Sequence, residues 1–334
     1  MAYDAADGYV VLFGGCSVWS CSGSPMGDTW IFASDQWTDV TGSQVTSPPP
    51  RSIAQMTYDP IDREVVLFGG LGPTQSYALN DTWAFSGGQW TNLTANLTTS
   101  PPARYRGTMA YDGHDHYVLL YGGTHDTSTA SPYNDTWTFV NQTWTNITKK
   151  VTSNLPGRLR AGMTYDAADG YILMFGGCTS ASCPTADTWK YVNHTWTSLT
   201  GSLTTAPSAR VYSQLTYDAR DGYAVLFGGG QSTAGPGDRD TWAFTGGAWK
   251  NISGGLSGMP PARGFDELAY DGAANLTLMF SGYYDSTTAL LNDTWSFGPE
   301  IVGTASTNPP QMDLGQSATF TVGAVSNFEP LTYT

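Results

Sequence analysis

The chain has 334 residues with 28 acidic and 14 basic side chains, which gives a formal net charge of −14. This charge argues against a nucleic-acid partner, because phosphate binding needs clustered Lys and Arg, and it disfavours docking on an anionic membrane surface. The sequence contains no run of about 18 apolar residues, so it predicts no membrane-spanning segment.

A triplet, Asp-Thr-Trp, recurs along the chain at intervals of 52 to 54 residues. Its tryptophans are Trp30, Trp83, Trp137, Trp189, Trp242 and Trp295. A glycine doublet keeps the same period and begins at Gly14, Gly69, Gly122, Gly176 and Gly228, with Ser281-Gly282 in the sixth copy. A unit of this size cannot bury a core alone, so we expect the six units to stack on one another.

The third unit shows the elements in order. Four short β-rich segments are bounded by Gly, Asn, Asp and Pro, and they cover residues 105–112, 117–121, 135–140 and 143–148. The hydrophobic residues show no helical periodicity, and Pro-rich linkers such as Pro101–Arg104 join successive units. The pattern predicts an all-β fold, a six-bladed propeller of four-stranded blades.

These residues resemble the kelch-repeat family. The resemblance rests on Gly122-Gly123 after an apolar strand, on Trp137 with Phe139 in the third strand, on Trp144 in the fourth, and on the opening Pro102-Ala103-Arg104. It covers residues 1–298 and implies a six-bladed kelch-type propeller. It implies no single activity, since kelch propellers include protein-binding scaffolds and a copper oxidase.

Eleven of the twelve tryptophans belong to the repeat, six in Asp-Thr-Trp and five in the fourth strands. We expect them to pack between blades while each indole N–H finds a partner. Trp19 is the exception, because it lies between Cys16 and Cys21 in the loop after the first glycine doublet. It is a candidate exposed ligand-binding residue.

The four cysteines form two pairs of equal spacing, Cys16 with Cys21 and Cys178 with Cys183. Each pair directly follows a glycine doublet, so we predict two local disulfides and an oxidising compartment. An all-cysteine zinc site is the alternative, but units one and four should lie on opposite sides of a six-unit ring.

Sequons support the same compartment. Ten of the thirteen asparagines stand in Asn-X-Ser/Thr. Asn80, Asn134 and Asn292 belong to the repeated Asn-Asp-Thr-Trp and are interpreted as structural. The remaining glycosylation candidates are Asn92, Asn96, Asn141, Asn146, Asn193, Asn251 and Asn275. Paired cysteines and dense sequons together predict a secreted or cell-surface glycoprotein.

The two ends depart from the repeat. Met1 aligns with a repeat methionine, copy one lacks its Pro-x-Arg, and copy six lacks a fourth-strand tryptophan. We expect an upstream segment to supply the fourth strand of blade six. Residues 299–334 differ in character, and the alternation over 315–322 resembles the start of an immunoglobulin-like PKD module. This segment is either an incomplete module or a tail that donates strands to another chain.

Motifs for chemistry are weak. The Tyr-Asp turns, such as 165–170, could suggest calcium ligands, but an aspartate that caps a turn explains them better. The four histidines do not converge, and the copper-oxidase relatives need a cysteine that would here be in a disulfide. No nucleophile elbow or phosphate loop occurs. We therefore predict no catalytic residue, no metal and no cofactor.

Positions that vary against the repeat are the better functional signal. An arginine recurs at Arg51, Arg104, Arg158, Arg210 and Arg263, which suggests a structural role, for example pairing with the repeated aspartates. Two residues later the identity changes, to Ile53, Arg106, Arg160, Tyr212 and Phe265. In kelch proteins that bind peptides this position lines the pocket mouth. The alternative is that these are ordinary rim residues.

The sequence thus predicts a non-catalytic binding or adhesion protein. Arg106 and Arg160 suit carboxylates, and Tyr212 and Phe265 suit sugar stacking, so the expected ligand is a glycan or a protein. One alternative is a structural subunit of an extracellular filament or surface layer, which self-assembles through the C-terminal strands. A carbohydrate-active enzyme is the third hypothesis.

Overall fold

A computed structural model of the protein describes residues 1–17, 25–74, 77–125, 131–231, 237–256, 258–284, 289–298, 318–321, 329–330 and 332–333. The described residues form β-strands and single-turn 3₁₀ helices, and no α-helix occurs among them. The sheets are arranged as a six-bladed propeller, as the repeat predicts. No helix in the described part is long and apolar enough to cross a membrane.

Four consecutive antiparallel strands build each of the first five blades. Blade one consists of β1 (Ala2–Asp4), β2 (Tyr9–Gly15), β3 (Met26–Ala33) and β4 (Gln36–Asp39). Blade two consists of β5 (Gln55–Asp59), β6 (Glu64–Phe68), β7 (Thr82–Ser86) and β8 (Gln89–Asn92). Blade three consists of β9 (Tyr105–Asp112), β10 (Tyr117–Thr124), β11 (Thr136–Val140) and β12 (Thr143–Asn146). Blade four consists of β13 (Gly162–Asp166), β14 (Tyr171–Phe175), β15 (Thr188–Val192) and β16 (Thr195–Ser198). Blade five consists of β17 (Gln214–Asp218), β18 (Tyr223–Phe227), β19 (Thr241–Thr245) and β20 (Ala248–Asn251).

Blade six is built differently. Its first three strands are β21 (Glu267–Asp271), β22 (Leu276–Phe280) and β25 (Thr294–Phe297), and a two-strand hairpin between them contains β23 (Tyr283–Tyr284) and β24 (Ala289–Leu290). The strand beside β25 is β27 (Glu329–Pro330), which comes from the C-terminal segment. An upstream segment was the expected source of this strand, whereas the structure shows a strand from downstream in the sequence.

Two more strands of the C-terminal segment lie against blade one. β26 (Ala318–Thr321) pairs with the outer strand β4, and β28 (Thr332–Tyr333) pairs with β26. These pairings are made within one chain. The immunoglobulin-like character of residues 299–334, and their use as a domain or a donated tail, stay predictions.

Single-turn 3₁₀ helices follow the outer strands of the first five blades, at Thr41–Ser43, Thr94–Asn96, Thr148–Lys150, Thr200–Ser202 and Ser253–Gly255. Each precedes the linker that returns the chain to the centre of the ring. The first strands of adjacent blades contact one another around the centre, and β21 also contacts β1. The ring is therefore closed.

Tryptophans join the blades, as the sequence predicted. The third-strand tryptophans each donate the indole N–H to the aspartate two residues earlier, and ten of the eleven repeat tryptophans are buried, with Trp242 half-buried. Four of the fourth-strand tryptophans donate to a threonine of the preceding blade. These pairs are Trp37–Thr294, Trp90–Thr29, Trp144–Thr82 and Trp249–Thr188.

The glycine doublet has a steric cause. Gly176 has a φ of 69°, and a Cβ atom there would lie 2.7 Å from the carbonyl oxygen of Arg210 in the next linker. Gly177, at a φ of 90°, donates its N–H to that same carbonyl at 2.9 Å. The doublet is thus required where the linker of the next blade passes close to the end of the second strand.

Candidate functional site

The propeller has two distinct faces. In blade three, the pairing of Asp112 with Tyr117 places the tight turn at one face, and the pairing of Tyr105 with Thr124 places the linker and the glycine doublet at the other. We call the first the turn face and the second the mouth face. The recurrent arginines, the variable positions and the Cys178–Cys183 disulfide belong to the mouth face.

Five recurrent arginines hold the mouth face together. Arg104 is fully buried, and its two terminal nitrogens donate to the two oxygens of Asp135 at 2.7 Å each. Nη1 also donates to the carbonyl of Gly122 at 2.9 Å. The same arrangement recurs in Arg51–Asp81, Arg158–Asp187, Arg210–Asp240 and Arg263–Asp293. The predicted pairing of these arginines with the repeated aspartates is confirmed, so they are structural residues.

The variable positions form a hydrogen-bonded ladder around the channel mouth. Each residue of the set has a left-handed backbone, with φ between 54° and 64°, at Ile53, Arg106, Arg160, Tyr212 and Phe265. From Arg106 onward, each of these residues donates its backbone N–H to the carbonyl of the equivalent residue in the preceding blade, as Arg160 does to Arg106 at 2.9 Å. Such backbone conformations are costly for non-glycine residues and cluster at functional sites.

Side chains of this mouth ladder stack in sequence. The guanidinium carbon of Arg160 lies 4.7 Å from the centroid of the Tyr212 ring. On its other side Tyr212 stacks on Phe265, with the ring centroids 3.4 Å apart and the planes inclined by 25°. Phe265 in turn has an edge contact with Tyr283. Tyr212 therefore has both faces covered by protein, and it does not present an open face for a sugar.

The two arginines of the ladder differ from the five structural ones. Arg160 is 8% exposed, its Nε has no hydrogen-bond partner, and its Nη1 lies 3.9 Å from Cys178 Sγ. Arg106 leaves Nε and Nη1 unpartnered. Neither forms a salt bridge with an acid in the described part of the chain. Burial lowers the pKa of Arg160, and the like charge of Arg106 lowers it further.

One of the two predicted disulfides supports this site. Cys178 and Cys183 are bonded, and Cys178 pairs through its backbone with Leu159, next to Arg160. Cys16 is also disulfide-bonded, while Cys21, its predicted partner, and Trp19 lie outside the described residues.

A cavity of about 310 Å³ runs along the axis below the mouth ladder. Ala54, Gly107 and Ala161, each next to a ladder residue, line it near the mouth face. Near the turn face it is lined by one tyrosine from every blade, namely Tyr3, Tyr58, Tyr111, Tyr165, Tyr217 and Tyr270. Burial raises the pKa of each of these tyrosines, so they are neutral near pH 7.

Asp266 is a mouth-face residue that the sequence interpretation missed. It is fully buried, and neither carboxyl oxygen has a hydrogen-bond partner among the residues that the structure describes. Burial raises its pKa to about 8, although the charge of Arg263 acts in the opposite direction. The signal lay in the alignment of the repeats, because the equivalent residues are the small Ala54, Gly107, Ala161 and Ser213.

On the turn face, the aspartate of the Tyr-Asp turn caps the turn, which is a structural role. Asp4 Oδ1 accepts the N–H groups of Ala6 and Asp7, and Gly8 takes a φ of 76°. Within the described ranges no three His, Cys, Asp or Glu side chains are grouped to hold a metal ion.

The glycosylation candidates are accessible. All seven asparagines, from Asn92 to Asn275, have exposed side chains, and they lie in turns on the turn face, at the ends of the outer strands or in the 3₁₀ turns. Their exposure is compatible with modification, which stays a prediction.

Comparison with known proteins gives little further information. No family model matches the chain. Over 138 residues, which are 41% of this chain, it is 26% identical to the Rho GTPase-activating protein gacHH of Dictyostelium discoideum. The aligned segment is only 9% of that protein, so the similarity concerns a small part of a much longer chain.

Proposed function

We propose that the protein is a secreted or cell-surface, non-catalytic binding protein of the kelch type, and that the mouth face binds its ligand. The observation that carries the proposal is the pair Arg106 and Arg160, two cations on the mouth face whose buried Nε atoms lack a hydrogen-bond partner among the described residues. In a chain with a net charge of −14, two basic side chains without an acidic partner at one place are selective for an anion.

The ligand chemistry follows from the same geometry. A guanidinium donates two parallel hydrogen bonds to a carboxylate, so a carboxylate-bearing glycan or an acidic peptide segment fits the arginine pair. Because Tyr212 is covered on both faces, its part is to hold Arg160 in place by a cation–π contact rather than to stack on a sugar. The specificity therefore rests on the arginines.

The cellular setting is part of the proposal. The Cys178–Cys183 disulfide fits an oxidising compartment, and the exposed sequon asparagines fit a glycoprotein. The alternative is a structural subunit of an extracellular assembly. It is favoured by the pairing of β26 with the edge strand β4, because the same pairing can be exchanged between two chains.

Binding to an array of glycans and acidic peptides tests the proposed function. We expect binding to a carboxylate-bearing member, which is lost in the Arg106→Ala/Arg160→Ala double variant. The double variant Lys149→Ala/Lys150→Ala removes the same charge from an exposed 3₁₀ turn and should bind normally. Equal loss in both variants, or unchanged binding in the arginine variant, would show that general charge or another surface is responsible.

A further inference from the structure

A guanidinium pocket recurs at every linker of the propeller. In blade three it consists of both carboxyl oxygens of Asp135 and the carbonyl of Gly122, which together accept three hydrogen bonds of 2.7 to 2.9 Å from Arg104. Trp137 fixes the aspartate from the other side by donating its indole N–H to Oδ2 at 2.7 Å. Four further blades repeat this arrangement with their own arginine.

Blade one has the same pocket without that arginine. Trp30 donates to Asp28 Oδ2 at 2.7 Å, as in the other blades, and Gly14 opens the corresponding glycine doublet. Asp28 is only 9% exposed, and no described residue forms a hydrogen bond with its Oδ1. Burial raises the pKa of Asp28, whereas Asp187 and Asp240 have lowered pKa values because the contacts of Arg158 and Arg210 outweigh the effect of burial.

The linker arginines also bind the preceding blade through their main chain. Arg104 donates its N–H to the carbonyl of Leu79 at 3.0 Å, and its own carbonyl accepts the N–H of Gly70 at 2.9 Å. The positions that correspond to these groups in blade six are the carbonyl of Leu291 and the N–H of Gly282. An arginine at the junction of blades six and one can therefore engage both blades, with its backbone on blade six and its side chain on blade one.

We infer that the junction of blades six and one is a binding site for an extended, arginine-bearing segment whose guanidinium pairs with Asp28 and the carbonyl of Gly14. The site should prefer a guanidinium group to other cations such as an ammonium group. In the equivalent pocket of blade three the three acceptors take hydrogen bonds from one guanidinium, whose rigid fork of N–H donors suits them, while an ammonium group binds only as a point charge. The residues that surround the arginine in the five internal copies define the segment as Pro-rich and extended.

Binding of a short peptide to the full chain tests this site. The probe has the sequence of residues 260–265, which contains a single arginine, and the control peptide carries lysine in its place. We expect saturable binding of the arginine peptide, and about tenfold or greater weakening either with the lysine peptide or in Asp28→Asn. Asp39→Asn, in the same blade, should bind as the parent does.

The source of the arginine is a separate question that a second arm answers. Residues 101–108 are fused ahead of Met1, so that an arginine stands five residues before the methionine, as Arg104 does before Met109. If this extension raises the unfolding temperature and blocks the peptide, an arginine of the same polypeptide can fill the site. If only the free peptide binds, the segment comes from a partner.

Either result supports the site, because in both the arginine occupies the pocket that contains Asp28. The inference is overturned if the arginine and lysine peptides bind equally, or if neither the peptide nor the extension has an effect. Should Asp28→Asn fail to fold, the comparison of the arginine and lysine peptides on the parent chain still tests whether the site selects a guanidinium.

Discussion

Trp37 donates its indole N–H to Thr294 Oγ1 at 3.1 Å, and this bond joins two side chains 257 residues apart. Trp37 belongs to the outer strand of blade one and Thr294 to the third strand of blade six. The same contact joins blades two, three and five to the blades before them. Ring closure thus includes the same interaction that joins neighbouring blades elsewhere in the propeller.

Loss of this hydrogen bond should open the ring more readily. Trp37 is fully buried, so Trp37→Phe removes a buried hydrogen bond as well as part of an aromatic ring. Trp196 is buried as well, but its Nε1 forms no hydrogen bond with any described residue, so Trp196→Phe removes only ring volume. We expect Trp37→Phe to lower the free energy of unfolding by about 1–2 kcal/mol more than Trp196→Phe, in urea titrations. Equal losses would mean that the bond to Thr294 contributes nothing.

The two arginines of one linker should respond differently to the same substitution. Arg104→Lys breaks the bidentate pair with Asp135 in a fully buried place, and we expect a loss of about 3–5 kcal/mol in unfolding free energy. Arg106→Lys, two residues later, breaks no ion pair and should leave stability nearly unchanged. Its effect should appear in ligand binding. If Arg106→Lys were the more destabilising change, the assignment of structural and ligand-binding arginines would be reversed.

The division between these arginines shows what the sequence can predict. The period of Asp-Thr-Trp was enough to predict six blades, because a unit of this size can bury its apolar residues only by stacking on equivalent units. It also marked Arg104 as structural, since a residue repeated in every linker has the same surroundings each time. The stack of Arg160 on Tyr212 and of Tyr212 on Phe265 was not predictable, because it depends on side-chain conformations at positions where each blade differs.

Asp266 should destabilise the folded protein at neutral pH. Burial raises its folded pKa to about 8, above the value of about 3.9 for an unfolded aspartate. The contribution of Asp266 to the free energy of unfolding is therefore most favourable below about pH 4, and it is lost as the pH rises from about 4 through 8. Asp266→Ser introduces the residue found at Ser213, and we expect it to stabilise the protein by about 1–3 kcal/mol at pH 8, with little effect at pH 4. Thermal unfolding at both values provides the measurement, and a uniform effect at both would exclude ionisation as the cause.

Glu64 should produce a second, separate pH dependence at the turn face. In four other blades the equivalent residue is a tyrosine whose hydroxyl donates to the second acid of the turn, as Tyr117 does to Asp115 at 2.9 Å. Glu64 cannot donate when ionised, and its Oε1 is buried without a partner. Burial, together with the charges of Asp62 and Asp59, raises the pKa of Glu64 to about 7. Stability linked to Glu64 is therefore present below about pH 4.3 and is lost as the pH rises through 7.

Glu64→Tyr should restore the contact that the other blades make. We expect its unfolding free energy to exceed that of the parent by about 1–2 kcal/mol at pH 8, with a smaller gain at pH 5, where the parent's Glu64 is largely protonated in the folded state. Glu64→Gln is the matched control, since it removes the charge but keeps the hydrogen-bonding capacity near Gln142. If the pH dependence between 5 and 8 persists in Glu64→Gln, another group is responsible. If Glu64→Gln matches Glu64→Tyr at pH 8, relief of charge repulsion explains the gain and the hydroxyl contact to Asp62 adds nothing.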